Sequence, residues 1–220
     1  MSKAIAETGK YSLIEEIVNS IIHGTGILIS LAGLVLLIVF SSLYGKASHI
    51  VSSTIFGITL VLLYTASTLY HSFREPQIKH VFRIIDHSCI YALIAGTYTP
   101  FMLVVVRGVL GWTMFAIVWS LTILGILFKI FFIHRFKIFS TLAYILMGWL
   151  VVFAIKPIFQ TLPGGAIVWL VSGGLAYTGG TIFYAWKKLP FNHAIWHLFV
   201  LTGSICHFFA VLFYVVPLKT

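Results

Sequence analysis

Seven stretches of the chain are too long and too apolar to belong to a soluble domain: Ser20–Leu43, Ile50–Tyr70, Ile84–Val106, Gly111–Phe132, Phe139–Ile155, Ala166–Trp186 and His193–Val216. A helix needs roughly 17–25 residues to cross about 30 Å of hydrocarbon. Each run reaches that length, the fifth only just. Barrel strands would alternate apolar and polar residues with a period of two; these runs do not, which leaves helices as the spanning structure. The sequence therefore predicts an all-α membrane protein, a seven-transmembrane helix bundle. Composition agrees: charged residues make up 9% of the chain, against about 25% in an ordinary soluble domain. The first run is too long for the apolar core of a secretory signal and follows Glu15 and Glu16 rather than a basic stretch, so it is expected to be a retained helix. Residues 1–19 are expected to form a short cytoplasmic amphipathic segment and residues 20–220 the membrane domain, with short loops and no further domain.

Fourteen Lys and Arg against five acids give a net charge of +9. In a soluble protein that excess would raise the question of nucleic acid. Here the bases lie between apolar runs, where topology and anionic headgroups account for them, and no nucleic-acid partner is expected. The N-terminal tail and loops two, four and six hold Lys3, Lys10, Arg74, Lys79, Arg83, Lys129, Arg135, Lys137, Lys187 and Lys188. The opposite side holds Lys46, Arg107, Lys156 and Lys219. That bias predicts a cytoplasmic N-terminus and an external C-terminus, the reverse of the G-protein-coupled receptor arrangement. Cys89 and Cys206 fall inside apolar runs without CxxC spacing, so they are read as small core residues, not as a disulfide or a thiolate metal site.

A few polar residues stand where hydrocarbon disfavours them. Asp86 is the one acid within a predicted span; an ionisable group there marks a functional site unless it is only a helix-start carboxylate paired with Arg83. His193 and His197 stand four apart at the start of the seventh run, on one helix face, a spacing that presents two imidazoles to one metal. His71 closes the second run, with Ser67 one turn before it. Alone, each has a bland reading as an interfacial histidine or a backbone-bonded serine. Topology joins them. His71 ends a helix that enters the cytoplasmic side, and Asp86, His193 and His197 begin helices that leave it. Three imidazoles and an oxygen ligand make a tetrahedral zinc set with room for water, so Zn2+ is the expected cofactor, bound by His71, His193, His197 and Asp86.

Other polar positions are expected to be structural. Glu15, Asn19 and His23 form an i, i+4, i+8 stripe that is read as capping the polar end of the bundle rather than backing the metal. His87 points about 100° away from Asp86 around the helix, toward an interface or the surroundings of the site. His207 lies about 15 Å from His197 along the axis and is expected to be a hydrogen-bonded core residue. His49, His80 and His134 are expected at the interface. Pro100, within Gly96-Thr97-Tyr98-Thr99-Pro100, predicts a kink in the third span. Gly173, Gly174, Gly179 and Gly180 predict close helix packing or a gap for a lipid chain.

The combination resembles the bacterial hemolysin III family, the prokaryotic branch of the progestin and adipoQ receptor (PAQR) proteins. It is carried by Glu15-Glu16 with Asn19 and His23-Gly24, by Ser67-Thr68-Leu69-Tyr70-His71, by Asp86-His87 leading to Ala95 through Pro100, and by Asn192-His193-Ala194-Ile195-Trp196-His197. The Ser-x3-His, Asp and His-x3-His set is also similar to that of alkaline ceramidases. The resemblance implies a seven-helix bundle in the bacterial inner (plasma) membrane with a cytoplasm-facing zinc site. Its ligands map to His71, His193 and His197, its acid that holds or activates a metal-bound water to Asp86, and its accompanying serine to Ser67. Adiponectin receptors carry a long cytoplasmic N-terminal region with no counterpart in this sequence, so hormone reception is not implied. The name hemolysin implies lysis, and no residue here explains it.

A zinc held by neutral imidazoles lowers the pKa of a water to about 7. Asp86 is the candidate general base and Ser67 a candidate hydrogen-bond donor to the reacting oxygen. At headgroup depth the expected partner is a membrane lipid or fatty acyl chain, and the expected reaction is hydrolysis of a lipid amide or, second, an ester. Protein partners are not specified by the sequence. The competing readings are a structural zinc that staples the bundle of a membrane-state sensor, and a lytic pore. A pore needs a polar stripe through the whole bilayer, whereas these ionisable residues cluster at one end.

Overall fold

A computed structural model of the chain describes residues 11–133 and 135–219. Lys3, Lys10 and His134, named above, lie outside the described residues, as does the side chain of Lys137. Among the described residues every regular element is helical, and seven helices are long and apolar enough to cross a membrane. They are α1 (Leu13–Tyr44), α2 (Ala47–Ser72), α3 (Pro76–Pro100), α4 (Gly108–Phe132), a fifth span made of α5 (Lys137–Trp149) and α6 (Ile155–Thr161), α7 (Gly164–Ala185) and α8 (Asn192–Ala210).

Several boundaries move outward from their predicted positions, and at α1 and α3 a side-chain cap extends the helix. Ser12 caps α1: its hydroxyl accepts the Glu15 N–H at 3.2 Å, and the Glu15 carboxylate accepts the Ser12 N–H at 2.8 Å. The helix thus starts at Leu13, and Glu15 and Glu16 fall in its first turn. Glu75 caps α3 by accepting the Ile78 N–H at 2.7 Å, with Pro76 in the first turn. Lys79 and Arg83, read above as loop bases, are therefore helical. The fifth span runs Ile138–Thr161 by way of a 3-10 turn at Leu150–Ala154.

The predicted disturbance at Pro100 takes a definite form. The α-helix gives way to a π-helix over Phe101–Val106, since proline offers no N–H to the preceding turn. Thr97 and Thr99 bond back to the carbonyls of Leu93 and Ala95 at 2.8 and 2.7 Å. A second π segment, Val211–Val215, ends the seventh span.

In the bundle α1 packs against α2 and α8, α2 against α3, α3 against α4 and α5, and α7 against α8. The second, third and seventh spans are the most buried; they carry His71, Asp86, His193 and His197. Leu28, Val35, Ile123, Leu124, Phe131 and Leu146 face outward and are more than half exposed, the surface a bilayer would cover. His49 corrects an expectation: it is buried, with Nδ1 accepting the Lys46 N–H and Nε2 bonded to the Leu218 carbonyl, so it ties the start of α2 to the C-terminal tail. His207 is the hydrogen-bonded core residue expected, with Nε2 3.2 Å from the Leu170 carbonyl.

The glycines of α7 divide between the two predicted uses. A Cβ at Gly180 would lie 2.6 Å from Phe199 Cβ, so α8 packs directly on the backbone there. At Gly174 the nearest atom would be 4.0 Å away, and Gly174 lines a cavity. Gly180→Ala is therefore expected to cost about 1–3 kcal/mol through overpacking, read as a lower Tm in detergent than that of Gly174→Ala. Equal melting of the two variants would contradict this packing.

Candidate metal centre

The C-terminal end of α2 and the N-terminal end of α8 meet at one end of the bundle. Phe191, at φ 56°, turns the chain into α8, and its N–H donates to Glu15 Oε1 at 3.2 Å. The Asn192 amide then donates to the Phe183 and Tyr184 carbonyls at 3.1 and 3.2 Å, which pins the first turn of α8 to the last turn of α7. His193 follows directly, with His197 one turn below on the same face.

These two and His71 are buried, and each offers a ring nitrogen within 4.8 Å of the others. A tetrahedral zinc with Zn–N of 2.0–2.1 Å needs its ligand nitrogens roughly 3.3 Å apart, which small ring rotations would supply. The donor set fits. His71 Nε2, both nitrogens of His193 and Nδ1 of His197 are buried without a hydrogen-bond partner among the described residues, an arrangement that is costly for imidazoles that hold nothing. His71, His193 and His197 would hold the metal.

Glu16 orients the first of them. Its Oε2 lies 2.5 Å from His71 Nδ1, and its Oε1 lies 2.9 Å from the Lys79 ammonium. Lys79 is buried and also donates to the carbonyls of Tyr70 at 3.0 Å and Phe73 at 3.3 Å. The carboxylate pairs with Nδ1 and would leave Nε2 as the atom available to a metal, while the lysine holds the carboxylate and closes the end of α2. Three helices meet in this chain of contacts.

Rings enclose the centre. His23 stacks on His197 with centroids 3.7 Å apart and stands edge-on to Tyr64 at 5.1 Å. Tyr11 stacks on His193 at 5.0 Å, and burial pushes its phenol well above the usual range, so it stays protonated. The expected capping stripe therefore splits: Glu15 caps, whereas Asn19 and His23 are buried and His23 packs on the site itself.

Asp86 is buried on α3, outside the set of nitrogens that close to within 4.8 Å. Its Oδ2 lies 3.3 Å from His87 Nδ1. The Ser67 hydroxyl is buried one turn from His71 and has no hydrogen-bond partner among the described residues. His23, Asp86, His87, His193 and His197 line a cavity of about 220 Å³, whose lining is mostly apolar, with Leu93, Phe101, Met102, Val152 and Ile155, and also includes Thr97, Tyr98 and His207. Its lining on the third span runs from Arg83 to Met102, roughly 28 Å at 1.5 Å per residue. One leaflet contributes about 15 Å of hydrocarbon, so the cavity is long enough for an extended acyl chain.

Sequence reasoning missed Glu16, Lys79 and Tyr11 as parts of the site. The stripe Glu16, Asn19, His23 has i, i+3, i+7 spacing, an equally valid helix face that includes Glu16. A helix start at Pro76 puts Lys79, Arg83 and Asp86 on one face by the same rule. Tyr11 carries no comparable signal.

A family model described as Haemolysin-III related matches residues 11–208. A Bacillus cereus protein named Hemolysin-3 is 55% identical over 203 residues, 92% of this chain and 93% of its own length. A Hemolysin-3 homolog of Bacillus subtilis is 54% identical over 206 residues, 94% of this chain and 97% of its own. The human monocyte to macrophage differentiation factor is 28% identical over 167 residues, 73% and 69% of the two chains.

Purified protein is expected to carry about one zinc per chain by elemental analysis, and His71→Ala or His193→Ala to lose it. Glu16→Gln, which leaves His71 in place but weakens its orientation, is expected to reduce zinc affinity roughly 10–100-fold in chelator competition. Stoichiometric metal in both alanine variants would overturn the site.

Proposed function

The chain belongs to the hemolysin III family, related to the PAQR proteins, and from that premise we propose that it is a zinc-dependent hydrolase of lipid amides, ceramidase-like, that acts in membrane lipid homeostasis. It is a multi-pass membrane protein; the metal, the reaction and the substrate are our reading. We place it in the bacterial plasma membrane with its N-terminus in the cytoplasm, so the centre lies beneath the inner leaflet. One observation carries the proposal: three buried imidazoles converge at the end of an apolar, chain-length cavity that also holds a buried carboxylate. A structural zinc site is normally closed by four protein ligands. Three histidines beside a cavity support an open position instead.

When bound, zinc supplies Lewis acidity that polarises a carbonyl and makes a water nucleophilic near neutral pH. His71, His193 and His197 would hold the metal, and Glu16, paired with Nδ1, would keep His71 in the ligating tautomer. The apolar wall holds the acyl chain and excludes bulk water. In the net reaction the water oxygen bonds to the acyl carbon as the C–N bond breaks. Asp86 Oδ takes the water proton and returns it to the leaving nitrogen, releasing a fatty acid and an amine. Ser67, one turn from His71 and outside the cavity wall, suits an orienting role better than contact with substrate. The lytic pore suggested by the relatives' name would need a polar stripe across the full span, and the mostly apolar lining of the cavity speaks against one.

Incubation with ceramide-like and N-acyl lipids tests the proposal. Wild type is expected to release fatty acid, and Asp86→Asn to retain zinc but lose activity roughly 10²–10⁴-fold. Undiminished turnover by Asp86→Asn would remove its catalytic role. Zinc-loaded wild type that releases no fatty acid from any of these lipids would make the metal a staple.

A further inference from the structure

The cavity carries a second polar place, far from the metal centre. His207 on α8 lines it, and the side chain is buried, with 7% of the residue exposed. Its Nε2 lies 3.2 Å from the Leu170 carbonyl. A carbonyl oxygen only accepts, so Nε2 carries the ring proton and Nδ1 of the neutral imidazole keeps an acceptor lone pair. Nδ1 is buried and has no hydrogen-bond partner among the described residues. The backbone of α7 makes room for the ring: a Cβ at Gly173 would fall 2.5 Å from Nε2. Tyr177 on α7 lines the same cavity, its ring centre 5.5 Å from that of His207. Its hydroxyl lies 2.8 Å from Ser204 Oγ, which also accepts the Tyr64 hydroxyl at 2.7 Å. Three hydroxyls share two hydrogen bonds, so one hydroxyl hydrogen is left over; when Ser204 donates to Tyr177, it is the one on Tyr177. An acceptor without a donor and a donor without an acceptor thus stand side by side in a mostly apolar cavity, where each alone is costly.

We propose that His207 and Tyr177 form a recess that holds a hydroxyl group on the distal half of an acyl chain running down the cavity. An alcohol satisfies both groups at once: its O–H donates to Nδ1 and its oxygen accepts from Tyr177. A plain methylene chain satisfies neither, and a carboxylate or phosphate ester has no proton to give Nδ1 when ionised. Depth fixes the position. His207 stands about 15 Å along α8 from His197. C–C bonds of about 1.52 Å advance an extended chain by about 1.25 Å each, so the recess lies about twelve carbons from a carbonyl held at the metal ligands. Elsewhere in the bilayer core the same hydroxyl would lie in hydrocarbon without a partner. The inference rests on the reading of the cavity as a lipid site and narrows the substrate to lipid amides whose acyl chain carries a distal hydroxyl.

The test compares three octadecanoic acids, which the protein would release and not turn over, against purified, zinc-loaded protein by calorimetry. They are the plain chain, the chain with a hydroxyl on carbon twelve, and its isomer hydroxylated on carbon six. The carbon-twelve acid is expected to bind wild type at least about tenfold more tightly than the plain acid, and the carbon-six isomer no more tightly than the plain acid. His207→Phe is expected to bring the ratio of carbon-twelve to plain acid to about twofold or less, with zinc content unchanged. Tyr177→Phe, which removes one oxygen and keeps the bond between Tyr64 and Ser204, is the second variant and is expected to lower the ratio as well. Equal binding of the plain and carbon-twelve acids by wild type, the result if a water bridges the pair, overturns the recess and leaves the lipid cavity standing. So does an undiminished ratio in His207→Phe, or in Tyr177→Phe should His207→Phe not fold. A carbon-six isomer that binds as tightly as the carbon-twelve acid overturns the assignment of the hydroxyl to this depth. If wild type binds none of the three, the cavity reading falls, and the recess with it.

Discussion

Burying imidazoles inside a membrane bundle is unfavourable unless their nitrogens are engaged, and the architecture is organised around that constraint. His71, His193 and His197 come from opposite ends of the sequence and lie within 4.8 Å of one another by their donor atoms. The group is held from outside by Glu16 and Lys79. A carboxylate and an ammonium buried together are tolerated only with good geometry and further hydrogen bonds; here the lysine also binds two carbonyls at the end of α2. Much of the buried polarity of the bundle is thereby gathered in one place.

The rest of the fold brings that place into contact with hydrocarbon. The most buried spans carry the three histidines and Asp86, while the others turn apolar faces outward. Gly180 lets α8 press against α7, and Gly174 on the same helix leaves room beside the cavity. The same cavity wall passes from histidines and a carboxylate to leucine, methionine and valine. A molecule with a polar linkage and a long chain matches that gradient better than a water-soluble substrate would.

Much of this was legible from residues alone. Seven apolar runs specified the helical bundle, and the positions of His71, His193 and His197 at span ends that share one membrane face anticipated their convergence. The errors arose where hydropathy was allowed to end a helix. Glu15 and Glu16 were set in a cytoplasmic segment ahead of the first span, but Ser12 caps the helix before them and Glu16 finds its partners inside the bundle. Lys79 looked like a loop base because its burial depends on a carboxylate sixty-odd residues away. His49 looked interfacial because its partner, the Leu218 carbonyl, belongs to the far end of the chain. Local pattern reports periodicity and caps well. It does not report which distant group will satisfy a buried charge.

The central claim is that His71, His193 and His197 ligate a single zinc ion, and X-ray absorption at the zinc edge of the purified protein tests it most directly. The account predicts three imidazole nitrogens at about 2.0–2.1 Å with one further oxygen at a similar distance, and loss of one imidazole shell in His197→Ala. A spectrum with sulfur ligands near 2.3 Å, or with oxygen ligands and no imidazole scattering, would contradict it.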